Sequence, residues 1–221
     1  MDQLHELPGD RTASRFAYAA AAAGAAGVLT LGAMYAVEVP RGGPYYFGTT
    51  NDALGGAFSL LIIPVILQVH RRVPKEAWTE PAKWVVVGAC VAGSASSFLL
   101  VFRVLDFVPS TVVTVAAMIV QAAWFLLAHN KLRTVEGYPR SLATLGRFIG
   151  LALLTGLALA GVGYLLPGPD WLKWSVVGVG ITAGAAAWVA WPYWYFKAAR
   201  HLSHAAESQL RAGTPPPSPA V

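Results

Sequence analysis

Six uninterrupted apolar stretches decide what this chain can fold into. They run over Phe16–Val37, Ala53–Val69, Trp84–Phe102, Phe107–Ala128, Phe148–Leu166 and Trp174–Phe196, and none contains Asp, Glu, Lys or Arg. A helix crossing the hydrocarbon layer of a bilayer needs about 20 such residues, within a range of about 17–25. Inside lipid the backbone must satisfy its own hydrogen bonds, so runs of this length predict helices. The expected fold is all-α, a polytopic membrane bundle of six transmembrane helices. Residues 1–15 are expected to form a flexible cytoplasmic N-terminus, 16–200 the transmembrane domain and 201–221 a cytoplasmic Pro-rich tail. The first stretch is too long for a cleavable signal peptide, and five more follow it. The second is short and carries Pro64, which would either kink it or let it sit among its neighbours.

Charge placement predicts the orientation. With the N-terminus inside, the cytoplasmic segments hold thirteen of the 16 Lys and Arg residues, and the outer segments hold Arg41, Arg103 and Lys173. Positive charge concentrates on the cytoplasmic side of membrane proteins, so both termini are expected inside the cell membrane. Only 12% of residues are charged, against about a quarter in soluble domains, which argues against a soluble fold. The basic residues are scattered between apolar runs, so nucleic acid is not an expected partner. The bilayer is.

Small residues recur at helix-packing spacing in Ala89, Gly93 and Ser97, in Ala152, Gly156 and Ala160, and in Gly180 and Gly184. Such stripes let helices approach closely. Packing within one bundle is the expected use, and homo-oligomerisation stays an open alternative.

Motifs for soluble chemistry are absent: there is no GxxxxGK[ST], GxGxxG after a strand, HExxH or GxSxG. The lone Cys90 precludes an intramolecular disulfide and any CxxC motif. His201 and His204 are three apart, but only Glu207 is nearby to add a ligand, and an interfacial polar pair is the expected reading. No metal and no cofactor are predicted. Gln68, Ser94, Ser96, Ser97, Ser110, Thr111, Thr114 and Gln121 lie within the spans. They read as hydrogen bonds between helices or back to the helix backbone rather than as a cavity lining.

The outer segments gather the candidate chemistry. Sequence order brings Glu38, Arg41, Asp52, Arg103 and Asp106 to one membrane level, interleaved with Tyr35, Tyr45, Tyr46, Phe47, Phe102 and Phe107. Each acid has a plain role open to it. Asn51 or Asp52 would cap the second span, Asp106 would neutralise Arg103 three residues away, and Glu38 would mark the membrane boundary. The sharper expectation is a polar pocket open to the outer leaflet. A carboxylic acid kept protonated by apolar surroundings can donate a proton, and aromatic faces stabilise cations. Those parts would protonate an olefin or epoxide and guide a carbocation. The expected catalytic set is Glu38, Asp52 and Asp106, with Arg103 orienting one of them.

Three segments carry a resemblance: TTNDALGGAFSLLIIPVILQVHRRVP (Thr49–Pro74), GYPRSLATLGRFIGLALLTGLALAGVGYLL (Gly137–Leu166) and VAWPYWYFKAARHL (Val189–Leu202). Together they resemble a group of uncharacterised six-span membrane proteins common in actinobacteria. The resemblance spans most of residues 49–202 and implies fold and location, not an activity. A weaker resemblance is to the small integral-membrane terpene cyclases of meroterpenoid and indole-terpenoid pathways. It rests on size, a helix count within one, aromatic content and outer-face acids, and it transfers no catalytic residue. It implies an isoprenoid substrate and cyclisation started by an acid. The expected function is action on a lipophilic small molecule, most concretely as an isoprenoid cyclase. A small-molecule exporter and a non-catalytic membrane accessory protein are the alternatives.

Overall fold

The computed structural model describes residues 7–212, with side chains to residue 205. Six helices follow in order: α1 (Asp10–Ala33), α2 (Tyr46–His70), α3 (Thr79–Val101), α4 (Phe107–Leu132), α5 (Arg140–Leu165) and α6 (Asp170–Ala212). No strand occurs among the described residues. All six helices are long and apolar enough to cross a membrane. The Pro-rich stretch from residue 213 lies outside the described residues, as do residues 1–6.

Side-chain contacts fix the topology. The end of α2 meets the start of α1 where the Gln68 amide donates to Asp10, 2.7 Å. The Ser96 and Ser110 hydroxyls pair α3 with α4 at 3.1 Å. The Trp194 indole of α6 donates to the Leu142 carbonyl of α5, 3.0 Å, and the Ser14 hydroxyl of α1 donates to the Ala199 carbonyl of α6, 2.8 Å. Each helix therefore lies antiparallel to its sequence neighbour, and α1 packs on α6 to close a ring. The starts of α1, α3 and α5 and the ends of α2, α4 and α6 share one face, here the N-terminal face. The other ends form the far face.

Glycine sets the closest approaches. A Cβ on Gly156 would sit 2.8 Å from the Gly180 carbonyl oxygen and 2.9 Å from the Gly184 nitrogen. A Cβ on Gly93 would meet Ala117 of α4 at 3.2 Å. The small-residue stripes on α3, α5 and α6 are thus used within one bundle, where backbone contact replaces the side-chain burial that lipid does not reward.

The two halves of the ring differ. Toward the N-terminal face an aromatic core fills the interior. Phe125 is fully buried and stacks on His129 at 5.1 Å, with Trp194 edge-on at 4.9 Å and Trp191 at 5.7 Å. Edge-to-face pairs of this kind each contribute about 0.5–1.5 kcal/mol beyond area burial. His129 is wholly buried there, its Nδ1 2.8 Å from the Phe125 carbonyl oxygen. Toward the far face the ring is hollow.

Helix boundaries depart from the apolar runs. α1 begins at Asp10, inside the segment expected to be flexible, because Asp10 is an anchor: its side chain is shut off from solvent and bonded to Arg72. α2 begins at Tyr46 and not near Ala53. α6 runs on to Ala212, so the expected tail segment is partly helix.

Candidate functional site

The hollow half holds a cavity of about 270 Å³. Helices α1 to α4 wall it, and Trp188, Trp191 and Pro192 of α6 close its base together with Phe58 of α2. No α5 side chain lines it, and none of α6 before Trp188. On α4 its wall runs from Phe107 to Gln121, about 21 Å of helix at 1.5 Å per residue. The volume lies just below the usual range of ligand pockets, roughly 300–1,000 Å³.

The lining is apolar with a few polar groups in a row. Asn51 and Asp52 line the cavity from α2. Ser97 faces them from α3, and Ser110, Thr114 and Gln121 follow one face of α4. The hydroxyls are committed in part: Thr114 donates to the Ser110 carbonyl at 2.5 Å, and the Ser110 hydroxyl to the Ser96 carbonyl at 3.2 Å. Gln121 is 5% exposed, and no hydrogen bond within the described protein engages its amide, which borders the cavity. The spacing of Ser110, Thr114 and Gln121 by four and seven residues was the sequence signal of this stripe, since it repeats on one helix face.

Asp52 is the acid that the cavity contains. It is half-buried, and among the described residues its carboxyl has no hydrogen-bond or ion-pair partner. Its freedom has a structural cause. The role of capping α2, expected of Asn51 or Asp52, falls to Glu38. After Ala33 the α1 backbone widens into a π-type turn over Met34–Glu38 and then a 3₁₀ turn over Val39–Arg41. That path swings Glu38 under the start of α2. Its two carboxylate oxygens accept the Phe47 N–H at 2.8 Å and the Gly48 N–H at 3.1 Å. A carboxylate on the free amides of a helix N-terminus is favoured by both hydrogen bonding and the helix dipole. Glu38 is 6% exposed and does not line the cavity.

Arg103 and Asp106 stand apart. Both are exposed and neither lines the cavity. The chain between α3 and α4 is a turn, with Arg103 at φ 58°, so the helical spacing expected to pair them does not exist there. No ion pair joins them. Asp106 supplies the extended residue before α4 without a side-chain cap bond. Of the four expected site residues, the cavity wall therefore includes Asp52 and not Glu38, Arg103 or Asp106.

Among the described residues no group of three or more His, Cys, Asp or Glu is placed to hold a metal ion. No protein-family model, curated protein or solved structure matches the chain.

Proposed function

We propose that this protein lies in the cell membrane with both termini in the cytoplasm and acts on a lipophilic small molecule held in the far-face cavity. The most concrete reading is an acid-initiated isoprenoid cyclase. The observation that carries it is the unpartnered Asp52 carboxyl on the wall of an otherwise apolar, aromatic-based cavity. In this reading Asp52, in its acid form, gives its proton to an olefin carbon or an epoxide oxygen of the substrate. The resulting carbocation is attacked by a second double bond, closing a ring. Phe58, Trp188 and Trp191 offer aromatic faces to the migrating charge. Loss of a proton from the final cation to the Asp52 carboxylate restores the acid, so an olefin substrate gives an isomer of itself. Gln121 and Ser97 would position a polar group of the substrate. Glu38 supports the reaction indirectly, by holding α2 and leaving Asp52 uncommitted.

The aromatic core between Phe125, Trp194 and Trp191 favours a site open on one side over a transport path through the bundle. The test is expression in a host supplied with prenylated and epoxidised precursors, with extraction of lipophilic metabolites from cells and medium. New products isomeric with a precursor, lost in Asp52→Asn, are expected. Export of unchanged precursor would instead indicate a carrier. No conversion of any precursor by well-inserted protein would overturn the cyclase reading.

A further inference from the structure

A second concave surface lies outside the ring, along the seam of α1 and α6. Ala22 and Ala25 form its bed, and Tyr18, Leu29, Tyr193 and Phe196 its sides. From Tyr18 to Leu29 the groove follows about 16 Å of helix. That is close to half of the roughly 30 Å hydrocarbon layer. The groove is one leaflet deep.

The end of the groove toward the N-terminal face is marked by Tyr18 and Phe196, whose rings meet edge-on at 6.0 Å. Arg15 is three residues before Tyr18 on α1, and Arg200 four after Phe196 on α6. Each shares a helix face with its aromatic. Because the two helices are antiparallel, both arginines lie one turn closer to the N-terminal face. The Lys197 ammonium sits 5.8 Å from the centre of the Tyr193 ring. Among the described residues none of these three cations has a carboxylate partner. Asp10, the acid at this end of α1, is buried and bound to Arg72.

An apolar bed one leaflet long, ending in three uncompensated cations at headgroup depth, is the complement of a phosphate carried on an acyl chain. We propose that the α1–α6 seam is a binding site for one anionic glycerophospholipid of the leaflet facing the two termini. One acyl chain lies between Tyr18 and Leu29, and the phosphate lies between Arg15, Lys197 and Arg200. The site is on the outer surface of the ring and does not depend on the chemistry proposed for the cavity.

The test uses full-length protein reconstituted in phosphatidylcholine with and without phosphatidylglycerol, with retained lipid counted by native mass spectrometry. Wild type is expected to retain phosphatidylglycerol in preference to phosphatidylcholine. Each of Arg15→Gln, Lys197→Gln and Arg200→Gln should lower that preference about fivefold, the effect of one cation near an anionic surface. Ala25→Trp, which fills the bed, should release both lipids. Equal retention of the two lipids by wild type would overturn the proposal, as would an undiminished preference in the triple variant. So would full displacement of phosphatidylglycerol by inorganic phosphate alone. Conversion of a dimer to a monomer by Ala25→Trp would show that a second copy of the chain, and not lipid, occupies the groove.

Discussion

The Arg72 guanidinium meets the Asp10 carboxylate at 2.6 Å, with the Asp10 side chain wholly out of solvent. The same carboxylate accepts the Leu7 N–H at 2.8 Å and the Gln68 amide at 2.7 Å. This network ties the start of α1 to the end of α2. Removing the Asp10 carboxylate takes away an acceptor shared by Arg72, Gln68 and the Leu7 N–H, and a buried donor that loses its acceptor costs about 1–3 kcal/mol. Asp10→Ala is expected to lose that much in denaturant unfolding in detergent. Exchanging Arg72 as well for an apolar residue of similar volume should cost less.

Glu38 and Asp52 are expected to separate in assay. Glu38→Ala removes the acceptor of the Phe47 and Gly48 amides and should destabilise the protein by about 0.5–2 kcal/mol, the range for helix-cap loss. Asp52→Asn should leave unfolding midpoints nearly unchanged, since no protein group depends on its carboxyl. It should abolish product formation in the metabolite assay, and Asp106→Asn should not. Retained turnover in Asp52→Asn would remove that residue from the chemistry.

Glycine positions give a paired test of packing. A Cβ at Gly150 would lie 2.5 Å from the Leu126 nitrogen and 2.6 Å from the Ala122 oxygen, both backbone atoms that cannot rotate aside. Gly150→Ala should therefore push α4 and α5 apart and cost about 1–3 kcal/mol, as overpacking does. Gly88 on α3 has open space around it. Gly88→Ala should be neutral or stabilising by up to about 1 kcal/mol, the helix-propensity difference. Thermal unfolding of the two variants side by side checks the contrast.

The N-terminal face also carries a pH-dependent contact. Lys131 donates to Glu76 at 2.7 Å and the Trp78 indole donates to it at 2.6 Å. These two bonds hold the Glu76 carboxyl below its ordinary value of 4.5. A carboxyl depressed in the folded state contributes its stabilisation above the unfolded value and loses it as pH falls through the folded one. A pH titration of Trp78 fluorescence should therefore show a midpoint below 4.5. In Lys131→Gln the midpoint should rise toward that value; an unmoved midpoint would show that the contact is not made in solution.

Hydropathy made the architecture legible, because a charge-free run of about 20 residues has few stable alternatives in lipid. The start of α4 at Phe107 coincides with its apolar run. The starts of α1 and α5 do not, because Asp10, Arg140 and Arg147 are charged yet helical. A helix continues through charged residues when they are paired or placed at headgroup depth, and composition does not report pairing. The site was legible only in part. Asp52 faces the cavity, but sequence order could not show that the chain after Ala33 would swing Glu38 onto the α2 amides. Nor could it show that the Phe102–Asp106 segment would be a turn and separate Arg103 from Asp106. Trp188 and Trp191 carry no sign of lining a cavity: Trp191, near the end of its span, would serve equally as a membrane-interface anchor, and Trp188 sits within an unbroken apolar run.

The solid half of the ring, built on Phe125, Trp194 and Tyr195, relieves the hollow half of responsibility for keeping the chain folded. Cavity residues that take no part in helix contacts, Asp52 above all, can then be exchanged with little risk to assembly. Ligand preference in such a protein is free to drift, or to be re-engineered, while the scaffold stays put.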